Sequence, residues 1–237
     1  MSDVLDARLR GLAERWALPA AAAGQLRTVL ELVAVEPVSI TTVREPLEGV
    51  DVHVADSLVA LDVPAVRQAA RLADLGSGGG FPGLALAVAV PEAEVALVES
   101  VGRKCEFLRR AAEAASLRNV AVVNARAESW REGLGRQDVV TARALAPLSV
   151  LVEYAAPLLR EGGSLVAWKA GRDPSEERDG VAAAETLGLE PREPLPVAPF
   201  DGSGERHLHL YVKVRATPPG YPRRDGMARK RPLRAST

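Results

Sequence analysis

The chain has 237 residues, 47% of them apolar and 26% charged, and a formal net charge of −1. That length suits one large α/β domain with extensions rather than two independent ones, and the composition excludes wholesale disorder. The single cysteine, Cys105, excludes an internal disulfide; with neither a secretory signal pattern nor about 18 uninterrupted apolar residues, a soluble protein in a reducing, cytoplasmic setting is expected.

Up to about Leu61 the chain reads as helices. Leu5, Leu9, Leu12 and Trp16 recur at helical spacing, and Leu26, Val29, Leu30 and Val33 do so again after Pro19. The stretch from Pro37 to Pro46, bounded by prolines and rich in hydroxyls, reads as a loop, and a third helix carries His53, Asp56 and Ser57. From Arg71 onward short apolar runs alternate with longer helical ones, the pattern of βαβ units in a mostly parallel sheet. Strands are expected at Leu72 to Leu75, Val95 to Glu99, Val120 to Val123, Asp138 to Ala142 and Ser164 to Lys169. A late antiparallel pair is expected around Leu189 to Val197 and His207 to Val214, with Asp201-Gly202-Ser203-Gly204 between them. Helices are expected from near Pro82, Gly102, Leu148 and Pro174. The division that follows is a helical extension packed on the core (1–61), an α/β core (62–216) and a basic tail (217–237).

The tail carries Arg223, Arg224, Arg229, Lys230, Arg231 and Arg234 against only Asp225. Its composition fits two roles equally, an arm for nucleic acid or a solvated, flexible end.

The strongest local signal is Asp74-Leu75-Gly76-Ser77-Gly78-Gly79-Gly80-Phe81-Pro82-Gly83, directly after the first core strand and opening a helix. Glycines let the backbone approach a ligand, so a cofactor site is expected at the carboxyl ends of the strands. Gly78, Gly80 and Gly83 also satisfy a dinucleotide fingerprint with acidic Glu99 about twenty residues on, so spacing alone does not choose the cofactor. Asp74 and the earlier Gly76 tip the balance, because Asp-x-Gly-x-Gly-x-Gly resembles motif I of methyltransferases, with the carboxylate near the cationic methionine end of S-adenosylmethionine. Glu99, closing the second strand, suits both ribose hydroxyls. Ala127 and Glu128 follow the third strand, where backbone groups can read the adenine edge.

The fourth strand ends in Thr141-Ala142-Arg143-Ala144, beside the place where the donor methyl is expected. No Asn/Asp-Pro-Pro-aromatic segment stands there, which disfavours an exocyclic adenine amine. Cys105 lies in a helical context, which disfavours a covalent attack on cytosine. A target that is already nucleophilic remains, such as guanine N7, for which alignment and electrostatics suffice. Arg143 is then an orienting group or, alternatively, the partner of a neighbouring carboxylate.

The order and spacing of several segments resemble the bacterial RsmG family, the glucose-inhibited division protein B family. These are Ser39-Ile40-Thr41, His53-Val54-Ala55-Asp56-Ser57, the Asp74 to Gly83 turn, Ala127-Glu128, Arg143-Ala144, Lys169-Ala170-Gly171, Gly204-Glu205-Arg206-His207 and Tyr221-Pro222-Arg223-Arg224. Ser-Ile-Thr stands where many relatives have Asn-Leu-Thr, and Lys169-Ala170-Gly171 replaces Lys-Gly. The resemblance implies a class I S-adenosylmethionine-dependent methyltransferase, a Rossmann-like doubly wound sheet with its last strand antiparallel. It implies methylation of guanine N7 at position 527 in the 530 loop of 16S rRNA. It also implies cofactor contacts at Gly76, Phe81, Ala127, Glu128 and Arg143, with Glu99 on the ribose.

Together these readings name Asp74, Gly76, Gly78, Gly80, Phe81, Glu99, Ala127, Glu128 and Arg143 as cofactor residues, and Arg143 and Lys169 as groups that position the reactants without a covalent nucleophile. Arg44, His53, Arg126, Arg206, Arg223, Arg224, Arg229, Lys230 and Arg231 are candidate RNA contacts. The expected partner is 16S rRNA or the 30S subunit, with no metal and no membrane, for a monomeric enzyme. A small-molecule methyltransferase and a non-catalytic RNA- or ribosome-binding module that keeps the cofactor fold remain as alternatives.

Overall fold

Helix α1 (Ser2–Arg15) buries Leu5 and Leu9, and α2 (Ala22–Val35) buries Leu26, Val29, Leu30 and Val33, the stripes that the helical spacing predicts. The structure, a computed structural model, describes residues 2–235. The apolar side of α2 lies on α6 (Gly83–Ala89) and α7 (Gly102–Ala114), so one cluster runs from Leu9 and Leu26 to Leu84 and Phe107. The first helices thus share their core with the sheet.

Between them lies a loop from Glu36 to Glu45, where the prolines predict one, followed by a nearly continuous helical run. It comprises α3 (Pro46–Gly49), a π-helical stretch (Val50–Ala55), α4 (Asp56–Leu58), a 3-10 turn (Val59–Asp62) and α5 (Pro64–Arg67). His53 and Asp56 stand three residues apart on this run and share one side of it.

Strands β1 (Arg71–Leu75), β2 (Glu94–Glu99), β3 (Val120–Asn124), β4 (Gln137–Arg143) and β5 (Leu159–Lys169) form the parallel part of one sheet, in the order β3-β2-β1-β4-β5. β8 (His207–Lys213) is antiparallel to β5, with Ala167 opposite His209. β6 (Leu189–Pro191) and β7 (Leu195–Pro196) both pair with β8. The expected single strand from Leu189 to Val197 is therefore two short ones. Pro191 and Pro194 have no N–H to give to a ladder, and the chain leaves β8 between them.

Alternation along the strands sorts side chains to two faces. Leu72, Leu97, Val139, Val166 and Leu208 face the cluster under α2, α6 and α7. Ala73, Val98, Val140, Leu165 and Tyr211 face the cluster with α8 (Leu148–Ala155) and α9 (Pro174–Leu187). Helices begin where Gly102, Leu148 and Pro174 predict them; the Asp173 side chain caps α9 by accepting from Ser175 N at 2.8 Å, and Gly188 closes it with φ 84°. No helix among the described residues is long and apolar enough to cross a membrane.

The basic tail departs from the flexible arm that its composition allows. Ala228, on α10 (Met227–Lys230), is fully buried in the second cluster, and Tyr221 and Leu233 pack beside it. Arg223 grips both oxygens of Glu153, a carboxylate on α8 with 2% of its side chain exposed. Lys213 donates to Ala156 O and to Thr217, holding the root of the segment. A few apolar contacts and one buried partner outweigh the charge that dominates the composition.

The turn after β1 fixes two glycines by shape. Gly80 has φ +94° and a Cβ there would meet Leu84 Cδ1 at 2.3 Å; a Cβ on Gly83 would meet Leu97 Cδ2 at 2.3 Å and Asp74 Oδ2 at 2.7 Å. Gly83→Ala should lower stability by roughly 1–3 kcal/mol through overpacking. Gly11→Ala, in α1 with nothing within 4 Å of the added methyl, should raise it by about 0.5–1 kcal/mol. Urea denaturation midpoints of the two variants check both signs.

Candidate cofactor and substrate site

The strand order reverses beside β1, between β2 and β4, and the loops at the carboxyl ends of these strands enclose a cavity of 590 Å³. Gly76, Glu99, Ala127, Glu128, Leu145 and Arg229 are among its lining residues. A larger cleft of 760 Å³ runs along α9 to Arg234, away from these strand ends.

The turn is built from local hydrogen bonds. Gly76 N donates to Val98 O at 2.8 Å, Gly80 N to Ser77 O at 2.6 Å, and Ser77 Oγ to Asp74 O at 2.9 Å. Gly78 N donates to Glu99 Oε2 at 3.1 Å, and Val101 N to Glu99 Oε1 at 2.8 Å. These two amides fix the Glu99 carboxylate at the end of β2, 6% exposed and on the cavity wall, with lone pairs left to accept a pair of vicinal hydroxyls. Gly78 serves here through its amide. A Cβ there would find its nearest atom, Gly76 O, at 3.6 Å, so what favours glycine here is its φ of +54° and not crowding.

Asp74, read from the sequence as a group near the methionine end of a donor, is not among the residues that line the cavity. It is fully buried beneath the turn, where Oδ1 accepts from Thr141 Oγ1 at 2.8 Å and Oδ2 from Gly83 N at 3.2 Å. Burial pushes its carboxyl up to about 6, against the pull of the Thr141, Ser77 and Gly83 hydrogen bonds and of Arg143. Gly80 and Phe81 also lie off the cavity wall, Gly80 against Leu84 and Phe81 against His53.

A second group of polar residues lies where the helical run meets β4 and β8. The rings of His53 and Phe81 stack with centroids 4.8 Å apart and planes 8° from parallel. His53 Nε2 donates to Val43 O at 2.9 Å, which leaves Nδ1 as a buried acceptor without a partner. Burial lowers the His53 pKa below its ordinary value, and Arg143 adds to the effect, so the ring is neutral near pH 7. Arg143 Nη1 donates to Asp56 Oδ2 at 2.6 Å and to Val52 O at 3.2 Å. Arg206 Nε stands 3.5 Å from the other Asp56 oxygen, and Trp168 Nε1 donates to the Asp56 carbonyl at 2.7 Å. The carboxylate partnership read for Arg143 is thus present, with Asp56 as the partner. Asp56, the hub of this group, escaped the sequence reading as a site residue. Its signal was the three-residue spacing from His53 on one helix.

The remaining candidates are dispersed. Lys169 Nζ donates to Glu176 and to Ala146 O. Arg44 donates to the carbonyls of Ala34 and Glu36 at the end of α2, a helix C-cap. Arg126 is exposed, 4.0 Å from Asp225. Arg223 is committed to Glu153, and Arg229 Nη2 donates to Leu145 O at 2.8 Å. Arg224, Lys230 and Arg231 are exposed and in no ion pair among the described residues. Cys105 is buried in α7 with its thiol donating to Glu99 O, a packing role.

A parallel sheet carrying one inserted antiparallel strand, with a ligand-sized cavity where the strand order reverses, defines the class I S-adenosylmethionine-dependent methyltransferase architecture. A crystal structure described as a predicted O-methyltransferase from Agrobacterium tumefaciens superposes with a TM-score of 0.52 at 27% identity, covering 69% of this chain and 81% of that one. A protein named Ribosomal RNA small subunit methyltransferase G from Rubrobacter xylanophilus is 47% identical over 81% of this chain and 76% of its own. A relative of the same name from Desulfitobacterium hafniense is 39% identical over 84% and 83%. The chain belongs to the GidB family, rRNA small subunit methyltransferase G, whose family model matches residues 27–197.

The raised Asp74 pKa has a signed consequence for stability. The folded chain holds this proton more tightly than the unfolded chain, whose carboxyl titrates near 3.8, so the contribution of Asp74 falls as pH rises from about 4 to about 6 and is flat above. The span is about 3 kcal/mol, at about 1.4 kcal/mol per pKa unit. Asp74→Asn, which mimics the protonated acid, should become the more stable variant as pH rises through this window. Urea titrations at about pH 4 and pH 7 check it, and a gap between the two proteins that does not change with pH would contradict a titrating Asp74.

Proposed function

We propose that this protein transfers a methyl group from S-adenosylmethionine to N7 of a guanosine in the 530 loop of 16S rRNA, as a cytoplasmic monomer. One observation carries the reading: the buried Glu99 carboxylate, clamped by the Gly78 and Val101 amides, stands on a 590 Å³ cavity whose wall includes Ala144, the residue after Arg143. The cavity fits the adenosyl half of the donor. Glu99 would hold the ribose hydroxyls, the backbone of Ala127 and Glu128 would border the adenine, and Gly76 would let the cofactor lie against main chain.

When bound, the donor supplies an electrophilic methyl group on a sulfonium. Guanine N7 has an in-plane lone pair and no proton, so no residue has to remove one, and the neutral His53 agrees with a site that positions rather than deprotonates. Both hydrogen bonds of Arg143 use Nη1, which leaves Nε and Nη2 to orient a base or a flanking phosphate. Asp56 holds that guanidinium and places Arg206 beside it. The choice of base and loop rests on the family resemblance, and the exposed Arg126, Arg224, Lys230 and Arg231 are the cations best placed for phosphate contacts.

Tritiated methyl transfer to naked 16S rRNA, 30S subunits and small metabolites tests the reading, with primer extension after reductive cleavage to locate 7-methylguanosine. Label at one guanosine of the 530 loop is expected; label in metabolites alone overturns it. Glu99→Ala should weaken S-adenosylmethionine about 10- to 100-fold in calorimetric titration, the equivalent of one or two hydrogen bonds to a charged group. Arg143→Ala should cut turnover on RNA about 100-fold while leaving the donor titration within a few-fold, measured as separate kcat and KM values.

A further inference from the structure

The six basic residues after Thr217 suggest capture of a polyanion, and the packing of the segment suggests something else. Residues 217–235 lie beyond the stretch that the family model matches and are joined by hydrogen bonds to both loops of the cofactor cavity. Gly226 N donates to Glu128 Oε1 at 2.9 Å, and Ser129 Oγ donates to Asp225, which ties the segment to the loop after β3. Arg229 Nη2 donates to Leu145 O at 2.8 Å, which ties it to the loop after β4. Behind these contacts, the Arg223–Glu153 pair and the buried Ala228 fasten the segment to α8. Leu145, Glu128, Tyr154 and Arg229 itself line the cavity, and the Arg229 guanidinium lies beside the Tyr154 hydroxyl.

We propose that α10 is the outer wall of the donor cavity and that Arg229 is a positioning residue for S-adenosylmethionine, so that this part of the tail acts on donor binding and not on RNA capture. The proposal rests on the reading of this cavity as the donor site. Arg229 acts in two ways. Its hydrogen bond to Leu145 O holds the loop that closes the cavity beside Gly76, where Leu145 is the nearest side chain. Arg229 lines the same cavity as Ala127 and Glu128, and the remaining donors of its planar fork would serve the ring nitrogens of a bound adenine, whose face also suits stacking on a guanidinium. A lysine in its place keeps the charge and one donor but loses the fork. Lys230 and Arg231 follow on the same short helix and its end; all three cations are exposed, and of the three Arg229 alone lines the cavity.

The test compares full-length wild type, Arg229→Ala, Arg229→Lys and the double variant Lys230→Ala/Arg231→Ala. Each is titrated calorimetrically with S-adenosylmethionine and, by filter binding over a salt series, with 16S rRNA. Arg229→Ala should weaken the donor at least tenfold, and raise its KM with kcat at saturating donor within twofold, while RNA affinity and its salt slope stay as in wild type. Arg229→Lys should recover part of the lost donor affinity. The double variant should titrate donor like wild type and bind RNA with a shallower salt dependence. Donor affinity of Arg229→Ala within twofold of wild type overturns the proposal, as does a change in its RNA salt slope equal to that of a lost phosphate contact. A wild-type protein that gives no heat with S-adenosylmethionine overturns the reading of the cavity itself, a different result from either of these. Melting temperatures separate a loosened fold from a lost contact, and an Arg229→Ala protein whose donor affinity falls only in step with its melting temperature, without recovery in Arg229→Lys, also counts against a positioning role.

Discussion

Beneath the glycine turn, one buried carboxylate ties the start of a helix to two neighbouring strands of the sheet. Asp74, the penultimate residue of β1, takes the Gly83 amide at the start of α6 on one oxygen and the Thr141 hydroxyl of β4 on the other. The helix comes this close because Gly83 has no Cβ to strike Leu97 or Asp74. With α6 drawn down, the intervening turn rises over the strand ends, and its Gly78 amide reaches Glu99 on β2. Burying a carboxylate so deeply is costly, and its hydrogen bonds offset only part of the cost, which is why its pKa stands high. That cost falls at the turn whose Gly76 lines the cavity.

A second buried acid, Asp56, organises the other half of the site in a different way. It is met by two guanidiniums, Arg143 from the end of β4 and Arg206 from just before β8. Removing the acid alone would leave two partly buried cations facing each other, a loss larger than the value of the ion pairs themselves. The helical run that carries His53 and Asp56 is thus part of the site and not an accessory to the α/β core. Its backbone contributes too, through Val52 O and Asp56 O.

Much of this was legible in the sequence for simple reasons. Strand and helix periodicities are local, and the strand ends at Leu75 and Glu99 fell where the apolar runs stop, with β4 running one residue past the expected Ala142. Glu99 was legible because it both ends a strand and follows the glycine turn at a telling distance. The burial of Asp74 and its bonds to Gly83 and Thr141 were not legible, since sequence position cannot say which side of a turn a carboxylate occupies. The Asp56 hub depends on Arg143 and Arg206, brought to it from distant parts of the chain, and the Arg44 cap depends on how the loop after α2 folds back on the helix end. The tail misled because its charges are numerous and its decisive residues, Ala228 and the Arg223 that answers Glu153, are few.

The placement of β8 carries a consequence for how this edge of the molecule opens. In the sheet, β6 and β7 both take their hydrogen bonds from β8, and β8 in turn borders β5 along six residue pairs from Ser164–Val212 to Lys169–His207. Peeling β8 from β5 would therefore release all three late strands as one cooperative unit, together with Arg206 at its base, while the five parallel strands kept their own ladders. Amide protons in 189–213 would then exchange in concert, and the guanidinium beside Asp56 would come and go with them.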